Sequence, residues 1–131
     1  MKVEILFNQN FIDTIKKFSK EKIKISEAIS LAKILKFLDD ELKMYGEIRD
    51  NILKEFKVKK IENNVIVFDK DENEEEVSED HKKDFINKIN ELIATEVKVD
   101  KMKLTKVTLE TLNISTSDLI LLEEIIDFSS K

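Results

Sequence analysis

The chain has 131 residues, of which 41% are hydrophobic and 39% are charged, with one glycine and no proline or cysteine. This size fits a single domain over residues 1–131 with one core, and no apolar run approaches the ~18 residues of a membrane span. So few glycines and prolines argue against sandwiches and barrels, and the lack of cysteine excludes disulfides, thiol catalysis and zinc-thiolate sites.

The first 25 residues predict a strand, a helix and a second short strand. Residues 1–7 alternate apolar and polar side chains, as in a strand with one buried face. Asn8 or Asn10 can cap a helix that continues to about Lys20. Residues 22–25 are brief and β-like.

A long helix is predicted from about Glu27 to Phe56, with Ser26 as its cap. About 30 residues span about 45 Å, whereas a compact domain of this size has a diameter of roughly 36 Å. The molecule is therefore expected to be elongated, or else another chain covers part of the helix. Positions three or four apart form one series along this helix, in which Arg49 stands between Tyr45 and Ile52. All the other residues of the series are apolar: Ala28, Leu31, Leu35, Leu38, Leu42, Tyr45, Ile52 and Phe56.

Residues 56–68 predict a hairpin, because two β-like runs flank Asn63 and Asn64, which suit a tight turn. An acidic loop follows at residues 69–80, where eight of the twelve residues are acidic. It begins like a calcium loop, but Glu74 stands where that motif needs glycine. A solvated loop without a specific metal site is the interpretation that fits better.

The remaining elements complete an α+β, helix-dominated fold in which the long helix packs with a shorter helix and small β-hairpins. Ser78 is predicted to cap a helix over residues 79–94, and strands are expected at 96–100 and 102–106. Ser115 opens a final helix, with Asp118 in a weak form of the capping box. Its apolar residues cover nearly all sides, which indicates deep burial or docking to a partner: Leu119, Ile120, Leu121, Leu122, Ile125 and Ile126.

Two residues of the long helix, Arg49 and Gly46, and one residue of the helix over residues 79–94, His81, are candidates for a special role. Arg49 is the one charged occupant of the apolar series, one turn after Tyr45. Residues 61–131 contain 18 aspartates and glutamates against 9 lysines and arginines. Either Arg49 pairs with a carboxylate of this acidic second half, or it fixes register or partner choice. Gly46 could mark a bend or a close contact. His81 is the only histidine, so two-histidine metal sites within the chain are excluded, and we expect it to be a surface residue without a special role.

Catalysis is not expected, since the sequence contains no phosphate loop, nucleophile elbow or dinucleotide fingerprint. No catalytic residue, cofactor or metal is predicted. The lysine cluster at residues 16–24 contains no arginine, which favours a solvated helix face over specific nucleic-acid binding. The first residues lack the apolar stretch of a signal peptide, so a cytoplasmic location is expected.

The order of four segments along the chain carries a resemblance to a known group of proteins. The segments are LAKILKFLDDELKMYGEIRDNILKEF, the acidic stretch, FINKINELIATEVKVD, and LTKVTLETLNISTSDLILLEEII. Over about residues 26–128 the chain resembles small proteins encoded in phages and prophages of low-GC Gram-positive bacteria. These have a long helix, an acidic hinge, a shorter helix ending in Thr-Glu-Val, and a closing Ile-Ser-x-x-Asp-Leu-x-x-Leu-Glu. Thr116 stands where many relatives have proline. The resemblance implies a viral setting and carries no activity or functional residues.

The resulting hypothesis is a non-catalytic phage or prophage protein that binds a host or phage protein stoichiometrically, for example as an inhibitor of a host defence system. The alternative is a virion head or tail accessory, which would be found in particles instead of the host cytoplasm. A homo-oligomer is also open, whereas membrane binding is not expected. The residues expected to contact the partner are Tyr45, Arg49, Glu74, Glu75 and Glu76.

Replacing Glu74, Glu75 and Glu76 with lysine should slow association with the partner and weaken the dependence of the association rate on salt, because an acidic surface steers a basic partner. Stopped-flow or surface plasmon resonance kinetics over a salt series would measure both effects. Unchanged association rates at low salt would contradict the assignment of these residues.

Overall fold

The computed structural model describes residues 1–62, 65–69 and 78–128. Helices dominate this part of the chain, which confirms the prediction of a helix-dominated α+β fold. The helices are α1 (Val3–Leu6), α2 (Gln9–Phe18), α3 (Ile25–Glu55), α4 (Glu79–Ala94), α5 (Lys106–Thr111) and α6 (Thr116–Leu122), and the strands are β1 (Val58–Glu62), β2 (Val65–Phe68), β3 (Met102–Lys103) and β4 (Ile126–Asp127).

The residues group into two compact units. The terminal unit comprises Met1–Leu42 and Glu96–Lys131, and the central unit comprises Lys43–Thr95. Helix α3 contributes its first part to the terminal unit and its last part to the central unit. The expectations of a single domain and of an elongated molecule stay predictions.

The long helix is confirmed, but its cap is not Ser26. Helix α3 begins at Ile25, so Lys24 is the N-cap residue. The Glu27 carboxylate accepts a hydrogen bond from the backbone N–H of Lys24 at 3.1 Å. This is the half of a capping box in which the third helical residue reaches back to the cap.

Glu27 also joins two helix N-termini within the terminal unit. Its side chain is 4% exposed, and it accepts hydrogen bonds from the Thr108 hydroxyl at 2.6 Å and the Thr105 N–H at 2.8 Å. Thr105 is the N-cap of α5. Burial is the largest single influence and raises the pKa of Glu27, but the bonds from Thr108, Thr105 and Lys24 together outweigh it and leave the pKa below its ordinary value.

The predicted strand at residues 1–7 is wrong, because the segment forms helix α1. Val3 and Leu6 are the buried residues, which is a helical spacing, whereas a strand would bury alternate side chains. Only a single antiparallel bridge, from Lys2 to Glu96, remains of strand pairing in this segment.

The two strands predicted after α4 are also mostly wrong. Residues 96–100 alternate between buried or half-buried and exposed side chains, but they pair with another segment only at Glu96. Alternation without a hydrogen-bonded neighbour does not make a strand. The second strand shortens to β3, which pairs in parallel with β4, and helix α5 begins at Lys106 where no helix was predicted. Residues 22–24 form no strand either.

The predicted caps of the other helices are confirmed. Asn8, Ser78 and Ser115 each accept a backbone N–H with their side chains at the starts of α2, α4 and α6. Helix α6 ends at Leu122, earlier than the apolar run suggested, and Ile125 and Ile126 are buried beyond it.

Asp118 ties α6 to α2 within the terminal unit. Its carboxylate accepts hydrogen bonds from Lys17 Nζ at 3.2 Å and Thr14 Oγ1 at 3.3 Å. The bond from the Lys17 ammonium is the main reason that the pKa of Asp118 lies below its ordinary value.

The central unit contains the predicted hairpin. Strands β1 and β2 pair antiparallel, with a bulge between Val58 and Lys60, and Asn63 and Asn64 lie outside the described residues. The chain turns out of α3 at Lys57, whose φ of 56° is left-handed. The Lys57 carbonyl accepts the N–H of Asp69 at 2.7 Å, which closes the base of the hairpin.

Replacing Glu27 with glutamine should lower the free energy of unfolding by about 2 kcal/mol at neutral pH, since hydrogen bonds to a buried charge are lost. The folded pKa lies below the ordinary value of 4.5, so the stabilisation by Glu27 is present above that pH and is lost as the pH falls through the folded pKa. Urea unfolding from pH 7 to pH 3 measures both effects.

Glu110 is the matched control, because it is an exposed glutamate on α5. Glu110→Gln should leave the unfolding free energy within about 0.5 kcal/mol of the wild-type value. Equal losses in the two variants would contradict the role given to Glu27.

Candidate functional site

Four aromatic rings organise the central unit. Phe85 on α4 is 1% exposed and makes edge-on contacts with Phe56 and Phe68, at ring-centroid distances of 5.8 Å and 5.6 Å. His81, one turn earlier on α4, contacts the same two rings at 5.3 Å and 5.5 Å. The cluster therefore fixes α4 against the end of α3 and against β2.

His81 is not the surface residue that the sequence suggested. Its Nε2 lies 2.6 Å from the carbonyl oxygen of Phe56. Because a carbonyl only accepts, Nε2 carries the proton and donates it. The imidazole thus satisfies a carbonyl at the C-terminal end of α3 while its ring packs against phenylalanines. No sequence signal pairs His81 with a residue 25 positions away.

A groove of about 560 Å³ lies in the central unit between α3, the hairpin and α4. Two of its apolar residues are strongly exposed, Ile61 on β1 at 56% and Ile86 on α4 at 42%. Its full lining is seven apolar residues, three cations and one carboxylate: Leu53, Val58, Ile61, Ile66, Phe85, Ile86, Ile89, Arg49, Lys59, Lys60 and Asp50.

Grooves in the terminal unit differ in this exposure. One, of about 210 Å³, has Phe11, Ile15 and Leu38 in its lining, all at most 8% exposed. Another, of about 390 Å³, has Ile34 and Met102, which are at most 7% exposed. The other apolar residues on these two linings are buried or half-buried, and none is as exposed as Ile61 or Ile86, so these grooves offer a partner less apolar area than the groove of the central unit.

The predicted contact residues are only partly brought together. Arg49 lines the groove, and its Nε lies 3.6 Å from Oδ1 of Asp50, the next residue of the same helix. Tyr45 is half-buried and is not among the lining residues. Glu74, Glu75 and Glu76 lie outside the described residues. Gly46 makes no close contact, since a Cβ there would meet nothing within 4 Å.

Sequence reasoning missed Ile61 and Ile86. The sequence places Ile61 in a β-like run of the hairpin over residues 56–68, and Ile86 in the helix over residues 79–94. Both fit the buried positions of an ordinary amphipathic pattern. Their exposure follows from the tertiary arrangement, and no local signal separates them from core residues.

A cluster of metal ligands and a membrane-spanning helix are both absent from the described residues. Across ranges 1–62, 65–69 and 78–128, no three His, Asp or Glu side chains converge as metal ligands. The helices there are too short or too polar to cross a membrane.

No protein family, curated protein or solved structure matches the chain.

The two contributions of His81 can be separated by substitution. His81→Phe keeps the ring contacts but removes the donor to Phe56, and should lower the unfolding free energy by about 1 kcal/mol. His81→Ala removes both the ring contacts and the donor, and should lower the unfolding free energy by more than His81→Phe does. Urea unfolding at pH 7 measures the difference, and a His81→Phe variant as stable as the wild type would show that the hydrogen bond contributes nothing.

Proposed function

We propose that the chain is a non-catalytic interaction protein that binds another protein stoichiometrically through the groove of the central unit. The observation that supports the proposal is the exposure of Ile61 and Ile86 on the groove lining. Large apolar side chains held at the surface and bordered by charged residues are typical of protein interaction sites.

Helix α3 adds apolar surface in the same unit. Met44 and Ile48 are 44% and 40% exposed, and residues four apart lie on the same side of a helix. Binding would remove these side chains from water, which is favourable by a free energy of about 25 cal/mol per Å² of apolar surface buried.

The resemblance to phage and prophage proteins gives the setting of the proposal. The protein would be made during infection or from a prophage, and its partner would be a host factor, such as a component of a defence system. Binding without turnover agrees with the lack of catalytic motifs in the sequence. The groove and its charged border would then decide which host factor is recognised.

Affinity capture from lysates of a low-GC Gram-positive host, with three forms of the tagged protein, tests the proposal. The wild type should retain a partner at a fixed molar ratio. The double variant Ile61→Thr with Ile86→Gln should retain at least tenfold less, because two apolar anchors are lost while strand and helix propensity are kept.

The control is Ile120→Gln on α6, since Ile120 is 61% exposed and belongs to the terminal unit. It should retain the partner like the wild type, and circular dichroism melts should show that all three forms are folded. Recovery of the same proteins in the same amounts by all three would contradict the proposed site.

A further inference from the structure

The described residues of the groove lining include more cations than carboxylates. The chain carries a formal net charge of -5, but Arg49, Lys59 and Lys60 outnumber Asp50 on the lining. The Arg49–Asp50 pair is solvent-exposed, with side chains 44% and 62% accessible, so its two charges still act on the surroundings. Among the described residues, the groove therefore presents an apolar floor with Lys59 and two further cations at its border.

The groove also reaches the open edge of β1. Ile61 and Ile66 are register partners, so their side chains lie on one face of the hairpin, whereas Lys60 belongs to the other face. All three line the groove, and β1 supplies four of the five hairpin residues on the lining, so the groove lies along the β1 side of the hairpin. Among the described residues, β1 pairs with β2 alone.

We infer that this groove binds an extended acidic segment of the partner protein, which adds a strand to the open edge of β1. The inference rests on the proposed function and names the chemistry of its partner. Main-chain hydrogen bonds to β1 would hold the segment, its apolar side chains would contact Ile61, Ile86 and Ile89, and its carboxylates would face the lysines. Addition of a strand to a free sheet edge is a common mode of peptide recognition.

The same features disfavour a second copy of this chain as the occupant. Two β1 strands paired edge to edge would bring Lys59 and Lys60 close to the same lysines, and like charges across a strand pair are destabilising. Lysines on edge strands commonly prevent such self-pairing, and β1 has two of them. An acidic strand reverses the sign of the charge interaction, so the edge selects its partner by charge.

Titration calorimetry with three synthetic peptides tests the inference on the full chain. The first is a seven-residue peptide of alternating glutamate and isoleucine, the second replaces its glutamates with lysine, and the third is the first with alternate backbone nitrogens methylated. At low salt the acidic peptide should bind at least tenfold tighter than either of the others. Amide hydrogen exchange should slow in β1 when it binds.

Variants locate the binding. Lys59→Glu should weaken the acidic peptide at least tenfold, while Lys106→Glu, an exposed lysine on α5, should leave its affinity within twofold. Equal affinity for the lysine peptide overturns the acidic partner, and equal affinity for the methylated peptide overturns strand addition. Concentration-dependent dimers with protected β1 amides would overturn the inference in favour of a second copy.

Failure of this inference differs from failure of the proposed function. If the acidic peptide does not bind but capture still depends on Ile61 and Ile86, the partner chemistry is wrong and the groove remains the binding site. If capture is also independent of those two residues, both proposals fail.

Discussion

The central unit depends on the burial of Phe85 between the rings of Phe56 and Phe68. Neighbouring helical residues point about 100° apart, so turning Phe85 into the cluster directs Ile86 away from it. Ile86 then remains 42% exposed on the groove lining. The exposed apolar surface is thus a direct result of how α4 packs. His81 adds to this constraint, because its bond to the Phe56 carbonyl joins the first turn of α4 to the end of α3.

In the terminal unit the corresponding constraint is polar. Glu27 accepts hydrogen bonds from the N-cap residue of its own helix and from the N-cap and third helical residue of α5. A buried carboxylate is costly unless its oxygens are satisfied, and here three donors satisfy them. The positive ends of two helix dipoles face the same charge, which favours the ionised form. Helix α5, only six residues long, gains through Glu27 a contact that its own sequence does not supply.

Elements with strong local signals were predictable, and those that depend on distant residues were not. Helix α3 follows from its apolar spacing and α4 from the Ser78 cap, because both signals lie within a few positions. Helix α1 was predicted as a strand, since Val3, Ile5 and Phe7 are apolar at the two-residue spacing of a strand. The residues that the fold buries are Val3 and Leu6, which are three positions apart, as on one side of a helix. The Glu27 and Thr108 pair spans 81 positions, beyond any pattern in a single sequence. The site was half predicted, because Arg49 was recognised as unusual among apolar residues, whereas Ile61 looked like an ordinary strand residue.

The left-handed backbone at Lys57 determines how the chain passes from α3 to β1, two elements that line the groove. Glycine would adopt φ of 56° freely, whereas lysine does so at a cost of about 1 kcal/mol. The cost is offset in part by the bond from Asp69 to the Lys57 carbonyl. Only two residues separate the end of α3 from the start of β1, so backbone geometry, more than mobile side chains, sets the spacing between these two walls. In the proposed mode of binding the groove is therefore preorganised, and an incoming chain would lose its own conformational freedom without ordering its receptor.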